Sequence, residues 1–511
     1  MQSNASSTNL TGFFFRGLWI TENSLRLFHF DRAGCQYSEK IDYHNSPKVF
    51  IKILLGLTSI REEDIGFDTS IKFTFSDGKK VGGHILTHDG RKPTRYPLVG
   101  TKPIYHLPHL QGRGVTCWLV EDRRRKRELV VKDSWESEWE ESYIPSESEL
   151  LKKAVGLTGI MQLVGSEDKR KSICALRLPC VGARTLSVTF QWRILTEAYG
   201  KDIGHFTSEK VLFRAMRDGI AAHRTLALDA QSALLHRDIS RRNILLGGDG
   251  AEPGWRGVLI DLDKSWNIHE LSTSDVAGYE VGTRMYKSIS ILRGSGADKP
   301  GYREFGWHDC YDDLESVFYV LLDIMLEKRL SWEGYRWTYG KKEDIPQIIQ
   351  EWANDDEKEA MRSKVKFFTP QELDLDAIGL EPFWSPAART LLTSLFKPIK
   401  KIAKLKSCYW KTGRNLAIEC HYELCERENL EEYYAEILAL FDTAIEDGTE
   451  QPCPSALSTP ARTPFSPANI NTPGGMAVKK RAREEACVVT PTPKRGRKMS
   501  DDVSEEISSL A

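Results

Sequence analysis

The chain has 511 residues and carries 71 Lys+Arg against 72 Asp+Glu. That length admits a two-lobed domain with additions as well as two or three independent domains, and so even a balance provides no whole-chain field for nucleic acid or a membrane surface. Its apolar runs reach about ten residues, short of the roughly 20 that span a bilayer, and the start MQSNASSTNLTGFFFRGLW lacks the basic and apolar parts of a secretion signal.

A soluble, unsecreted protein is therefore expected, and the ten scattered Cys fit free thiols in a reducing compartment. Cys420, His421 and Cys425 cluster, but no second pair at zinc spacing accompanies them, so no zinc is expected.

Residues 1–105 alternate short apolar runs with turn signals: SLRLFHFDRAG, then VFIKILLGL, then SIKFTFSDGKKVGGHIL with an Asp-Gly turn. A folded α+β region is expected there. Next, VTCWLV and ELVVK flank a charged turn, which predicts a hairpin, and Gly112 and Gly114 precede it where a phosphate-covering loop needs small residues. Lys132 ends the second run, with its ammonium available to phosphate oxygens. SESELLKK predicts a helix capped by Ser146, with Glu147, or alternatively Glu149, as the acid that would hold Lys132.

Residues 160–178 read as another hairpin, and Pro179 and Gly182 mark a connection that suits a hinge. EKVLFRAMRDGIAAHRTLALDA predicts a helix leading into LLHRDISRRNILL. Within that stretch, His236, Arg237, Asp238 and Asn243 reproduce the HRDxxxxN spacing of a phosphotransferase loop, an Asp to accept a hydroxyl proton and an Asn to hold a metal ion. The following hairpin, ending in VLIDLDKSW, places Asp261 beside that loop, and an amide and a carboxylate oxygen suit Mg²⁺.

Residues 264–281 are rich in Ser and Thr and have the place of an activation segment, with Ser265, Ser272, Thr273 and Ser274 as candidate phosphate acceptors facing Arg237. In WHDCYDDLESVFYVLLDIML, Asp312 and Asp313 open an apolar helix, where Asp313 can accept backbone N–H groups and anchor a neighbouring loop. Helical periodicity continues to about residue 445.

HRDIS, LIDLD, GTxxY and DDLESVFYVLL, with LVVKDSW upstream and FHFDRAG and DIGFD near the start, resemble the fungal-type protein kinase family from about residue 10 to residue 445. The resemblance implies an α+β fold with a bilobal kinase architecture: an N-terminal α+β extension over 1–105, a mostly β small lobe over 106–182 and a mostly α large lobe over 183–447. It also implies ATP and Mg²⁺ as cofactors and protein Ser/Thr hydroxyls as substrate. Asp238 would be the base, Asn243 and Asp261 the metal ligands, and Lys132 the partner of the nucleotide phosphates.

The chain departs from the family pattern at Cys117 in the glycine loop, Ser240 where Ser/Thr kinases carry a Lys, Asp263 for the DFG glycine, and Ser290 for the APE glutamate. Arg241 or Arg242 is a candidate to replace the missing Lys. A kinase-fold scaffold with little catalysis, or a small-molecule phosphotransferase, stands as the alternative.

Residues 448–511 are Pro-rich and cannot bury enough apolar surface to offset their ordering entropy, so a disordered tail is expected. KKRAR at 479–483 and KRGRK at 494–498 form a bipartite basic pattern that suits a nuclear import receptor, with a nucleic acid partner disfavoured. Thr492-Pro493 lies against the second basic cluster.

Overall fold

A computed structural model describes residues 12–88, 92–107, 110–138, 145–177, 188–248, 250–268, 282–295, 308–327, 346–409 and 420–448. The architecture is mixed α+β with several small sheets. It divides into two compact units, one drawn from residues up to 143 together with 164–196, the other from 144–163 and 197–463.

The first unit begins with an antiparallel meander of β1 (Phe14–Ile20), β2 (Leu25–Asp31) and β3 (Gly34–Tyr37). Every second residue of β2 is buried, the period of a half-covered strand. The apolar run after it forms a helix, α1 (Pro47–Leu57), started by a proline at its first turn, and it packs Ile53 against Leu25 and Leu27.

A second meander follows, β4 (Ile71–Ser76), β5 (Lys79–His88) and β6 (Pro93–Pro97). Its first turn puts Asp77 and Gly78 at φ 49° and 71°, the left-handed pair that an Asp-Gly hairpin requires.

β7 (Tyr105–His106), β8 (Thr116–Asp122), β9 (Arg127–Glu138), β10 (Leu163–Ser172) and β11 (Val188–Glu197) form a five-stranded sheet in the order β10-β11-β9-β8-β7. Ile71, Ile85 and Tyr96 share one core with Trp118, Val120, Leu129, Val131 and Leu195, so side chains from before and after residue 105 are buried together. Beside this core the buried Arg193 donates from Nε and Nη2 to the two oxygens of Asp133 at 2.7 and 2.8 Å, and from Nη2 to Asp68 at 3.2 Å. Such forked charge-assisted bonds compensate the desolvation of each partner.

Residues 160–178 do not follow the expected hairpin. The chain runs as the single strand β10 and then a short 3-10 turn, Ile173–Leu176, capped by the Ser172 hydroxyl. The turn signals there are answered by β11, a sequence-distant partner. Pro179 and Gly182, the expected hinge, lie outside the described residues.

The second unit opens with α2 (Glu147–Lys153), where Ser146 and Glu149 make a reciprocal capping box. α3 (Glu209–Leu228), capped by Ser208, leads into β12 (Leu234–Leu235). β13 (Ile244–Leu246) and β14 (Gly257–Leu259) form the expected hairpin, and β15 (Trp266–Asn267) returns to pair with β12. After α4 (Ile289–Ser295) comes α5 (Cys310–Leu326), all of whose residues are buried, which marks it as the central helix of the unit. α6 (Gln347–Trp352), α7 (Glu357–Phe367), α8 (Pro386–Tyr409) and α9 (Arg427–Asp447) complete it, with α9 packed on α3 and α8. Among the described residues no helix is long and apolar enough to cross a membrane.

Burial on every side gives α5 a titrating acid. Burial pushes the Glu315 carboxyl up from 4.5 to about 7, a rise that the Tyr319 hydroxyl and the Ile289 amide oppose, Asp312 reinforces and Lys364 opposes. The folded chain thus holds this proton more tightly than the unfolded chain, so the contribution of Glu315 to stability falls as pH rises from about 4.5 to about 7. Glu315→Gln is uncharged throughout. Relative to wild type its melting temperature is expected to gain of the order of 2–4 °C between pH 5 and pH 8, which calorimetry at the two pH values checks.

Candidate active site

The stretch from His236 to Asn243 is held from behind by one carboxylate. Asp313 Oδ2 accepts the His236 amide N–H at 3.1 Å, and both its oxygens accept the Arg237 N–H at 3.2 Å. His223 Nε2 and His308 Nε2 also donate to it, each at 2.8 Å. Burial would raise the Asp313 carboxyl, but the charges and hydrogen bonds of His308 and His223 outweigh it and hold it well below the usual carboxylate range. This fixes Arg237 at φ 66°, a left-handed conformation that costs a non-Gly residue about 1–2 kcal/mol.

His236 bridges the loop to the strand that follows. Its Nε2–H donates to the Ile260 carbonyl at 3.0 Å, while Nδ1 accepts the Asp238 N–H at 3.3 Å, a pattern only the neutral ring can make. Burial lowers its pKa in the same direction. Burial also lowers the Arg237 guanidinium to about 10, against the pull of Asp313, so it stays charged at neutral pH.

Asp238 is buried, with three donors on its carboxylate. Oδ1 accepts the Thr283 N–H at 2.7 Å and the Thr283 hydroxyl at 2.8 Å, and Oδ2 takes the Lys264 ammonium at 3.1 Å. The close approach of Thr283 depends on Gly282 at φ 103°, where a Cβ would stand 3.0 Å from the Arg237 carbonyl oxygen.

Asn243 donates from Nδ2 to the Asp238 carbonyl at 2.9 Å, which leaves Oδ1 as the atom it offers a cation. The Ile260 N–H donates to the Asn243 carbonyl at 3.0 Å and so brings Asp261 alongside. Asp261 sits at φ 67° and starts the short helix Leu262–Lys264, whose Leu262 is fully buried and which packs on α2. An amide and a carboxylate oxygen fit a hard divalent cation.

Several other expectations meet the structure here. Arg241 does not face Asp238: Nη2 binds Glu327 at 3.0 Å, with Asp323 and Asp202 each 3.9 Å away. Burial would lower its pKa, but these carboxylates hold it above its ordinary value, so it is unsuited to replace the missing Lys. Ser265 is buried, with its hydroxyl on the His236 carbonyl at 3.4 Å, which removes it from the exposed acceptors; Ser272, Thr273 and Ser274 lie outside the described residues. In α2, Glu149 Oε2 accepts the Ser146 N–H at 2.8 Å, so Glu149 serves the cap while Glu147 is the buried acid of the pair.

In the first unit, Lys132 is buried on β9 and is the cross-strand partner of Cys117. Gly112 and Gly114 adopt φ 96° and 50°, and a Cβ at Gly114 would clash with the Arg32 guanidinium at 2.2 Å. The loop closes onto β9 through the Trp135 N–H and the Arg113 carbonyl at 2.7 Å.

Away from the loop, Asp309, His421 and Cys425 have ligand atoms within 4.8 Å of one another. Lys406 bridges Asp309 and Asp312 at 2.9 and 2.7 Å and already supplies positive charge there.

Reading the sequence missed Lys264 and a role for Thr283 at Asp238, and also His223 and His308. The signal for the first two lay in plain sight, a Lys directly after DLD and the Thr of GTRMY.

Compared with known families, residues 7–177 and 166–325 match one described as Fungal protein kinase, more than half of the chain. Among curated proteins none matches.

Proposed function

The chain belongs to the fungal protein kinase family, and from that premise we propose that it transfers the γ-phosphate of ATP to Ser and Thr hydroxyls of proteins. The observation that carries this reading is Asp238 on its strained loop, beside Asn243 and Asp261, with the Thr283 hydroxyl of GTRMY on its carboxylate. Asp238 orients the acceptor hydroxyl and takes its proton. Asn243 Oδ1 and Asp261 would hold Mg²⁺, which when bound neutralises the nucleotide phosphates and orients them. Lys132 keeps the α/β-phosphate role that the resemblance gives it, Gly112 and Gly114 the cover of the phosphates, and Glu147 the orientation of Lys132.

Incubation of the full chain with Mg²⁺ and γ-labelled ATP on casein, followed by phosphoamino-acid analysis, tests it. Label on Ser and Thr is expected. Lys132→Met should cut the transfer by about a hundredfold, and label that persists unchanged in that variant refutes the assignment.

A second reading, a scaffold of low activity, draws on the three donors that already occupy Asp238. Nucleotide-dependent thermal stabilisation with no label transfer would select it.

The basic pattern at 479–498 lies outside the described residues, and for it we propose recognition by a nuclear import receptor. Deleting 479–498 from a fluorescent fusion is expected to move the protein from nucleus to cytoplasm; unchanged nuclear signal overturns the proposal. A Thr492→Glu fusion is expected to shift the same way in part, since its charge opposes the adjacent cluster.

A further inference from the structure

Ser240 leaves the position two residues after Asp238 without a charge, and Arg241 is bound among Glu327, Asp323 and Asp202. An ammonium nevertheless reaches the base: Lys264 Nζ lies 3.1 Å from Asp238 Oδ2, with its side chain about one-third exposed (36 %). Lys264 ends the same short helix that Asp261 begins, and the buried Leu262 between them anchors that helix. One rigid turn therefore positions both the carboxylate suited to the metal and the ammonium on the base.

We propose that Lys264 is the cation of phosphoryl transfer in this chain, its ammonium contacting the γ-phosphate from its seat on Asp238. The inference rests on the kinase reading above. In the step it serves, the acceptor hydroxyl oxygen bonds to the γ-phosphorus and the bond from that phosphorus to the β,γ-bridging oxygen breaks. ADP leaves with that electron pair, and the hydroxyl proton passes to Asp238. Lys264 exchanges no proton. It offsets charge on the equatorial oxygens of the phosphoryl group while keeping the Asp238 carboxylate turned toward the acceptor.

A fixed charge of this kind acts by position, so a lysine brought to the same place from another part of the chain should replace it. The test uses the full-length protein with Mg²⁺, measuring label transfer to casein and, separately, the affinities for ATP and ADP by displacement of a fluorescent ADP analogue. Lys264→Met is expected to lower kcat about 100-fold and to bring the ATP-to-ADP affinity ratio toward one. Lys264→Arg should retain part of both. In the double variant Ser240→Lys with Lys264→Met, a lysine returns to the vacant position in the loop, and kcat should rise by about tenfold over Lys264→Met alone, which a purely structural role for Lys264 would not produce.

A Lys264→Met protein that keeps kcat within about twofold of wild type, or that loses kcat with an unchanged nucleotide ratio and no rescue by Ser240→Lys, overturns the assignment. If the wild type transfers no phosphate but prefers ATP over ADP in a Lys264-dependent way, the γ-phosphate contact stands and the kinase reading fails. If the wild type shows neither transfer nor a Lys264-dependent preference, both fall.

Discussion

Asp238→Asn is expected to lower kcat by about a thousandfold, in the range that loss of a positioned general base causes. The substitution is nearly isosteric, and its amide oxygen can still accept the Thr283 N–H and hydroxyl that now bind Oδ1. What it removes is the charge opposite Lys264 and the basic oxygen proposed to take the acceptor proton. ATP affinity should change by less than about fivefold, because the Lys264 ammonium proposed to meet the γ-phosphate is retained, as are Lys132 and the Asn243 and Asp261 side chains that would hold the metal. Initial-rate kinetics with nucleotide titration separate the two effects. A kcat within tenfold of wild type would remove Asp238 from the base role.

The second large effect concerns stability. Asp313→Ala deletes the acceptor shared by His223, His308 and the His236 and Arg237 amides, all in the interior of the second unit. Orphaning several buried donors at once places the loss at about 3–5 kcal/mol, with a fall in melting temperature of roughly 10 °C. Asp313→Asn should lose less stability, since it keeps one acceptor oxygen.

The pH dependence gives Asp313 its own signature. The folded pKa of its carboxyl lies well below the ordinary 3.8, so its contribution is fully present above pH 3.8 and is lost as pH falls through the folded value. The stability gap between wild type and Asp313→Asn should narrow as pH falls below about 4. Chemical denaturation across that range measures it, and a gap that widens in acid would show that another group dominates.

Both residues could be named from the sequence because their signals are short-range. Asp238 and Asn243 sit in one loop at a spacing that only a tight polar turn brings together, and Asp313 lies in the first turn of an apolar run. The same holds for the Ser146 cap, the Asp77-Gly78 turn and the β13–β14 hairpin, each decided within a dozen or so residues by backbone preferences or hydrogen bonds.

Where partners came from afar, the sequence was silent or misleading. By sequence Arg241 or Arg242 is a candidate to replace the missing Lys near Asp238, yet carboxylates from residues 202, 323 and 327 surround Arg241. The run Val49–Leu57 fits a strand or a helix equally by composition, and its contacts with β2 belong to a helix.

By itself, then, the sequence determined the catalytic-loop motif, the local caps and turns and the alternation of β-rich and α-rich regions, since each depends on neighbours within a turn or two. Only the tertiary structure decided which charged side chain meets Asp238. Lys264 is 26 residues away in the chain, and it arrives because the β13–β14 hairpin folds back and the Leu262–Lys264 helix is pinned by burial of Leu262. An ion pair is set by three-dimensional distance and desolvation, and neither is encoded in the spacing of residues along the chain.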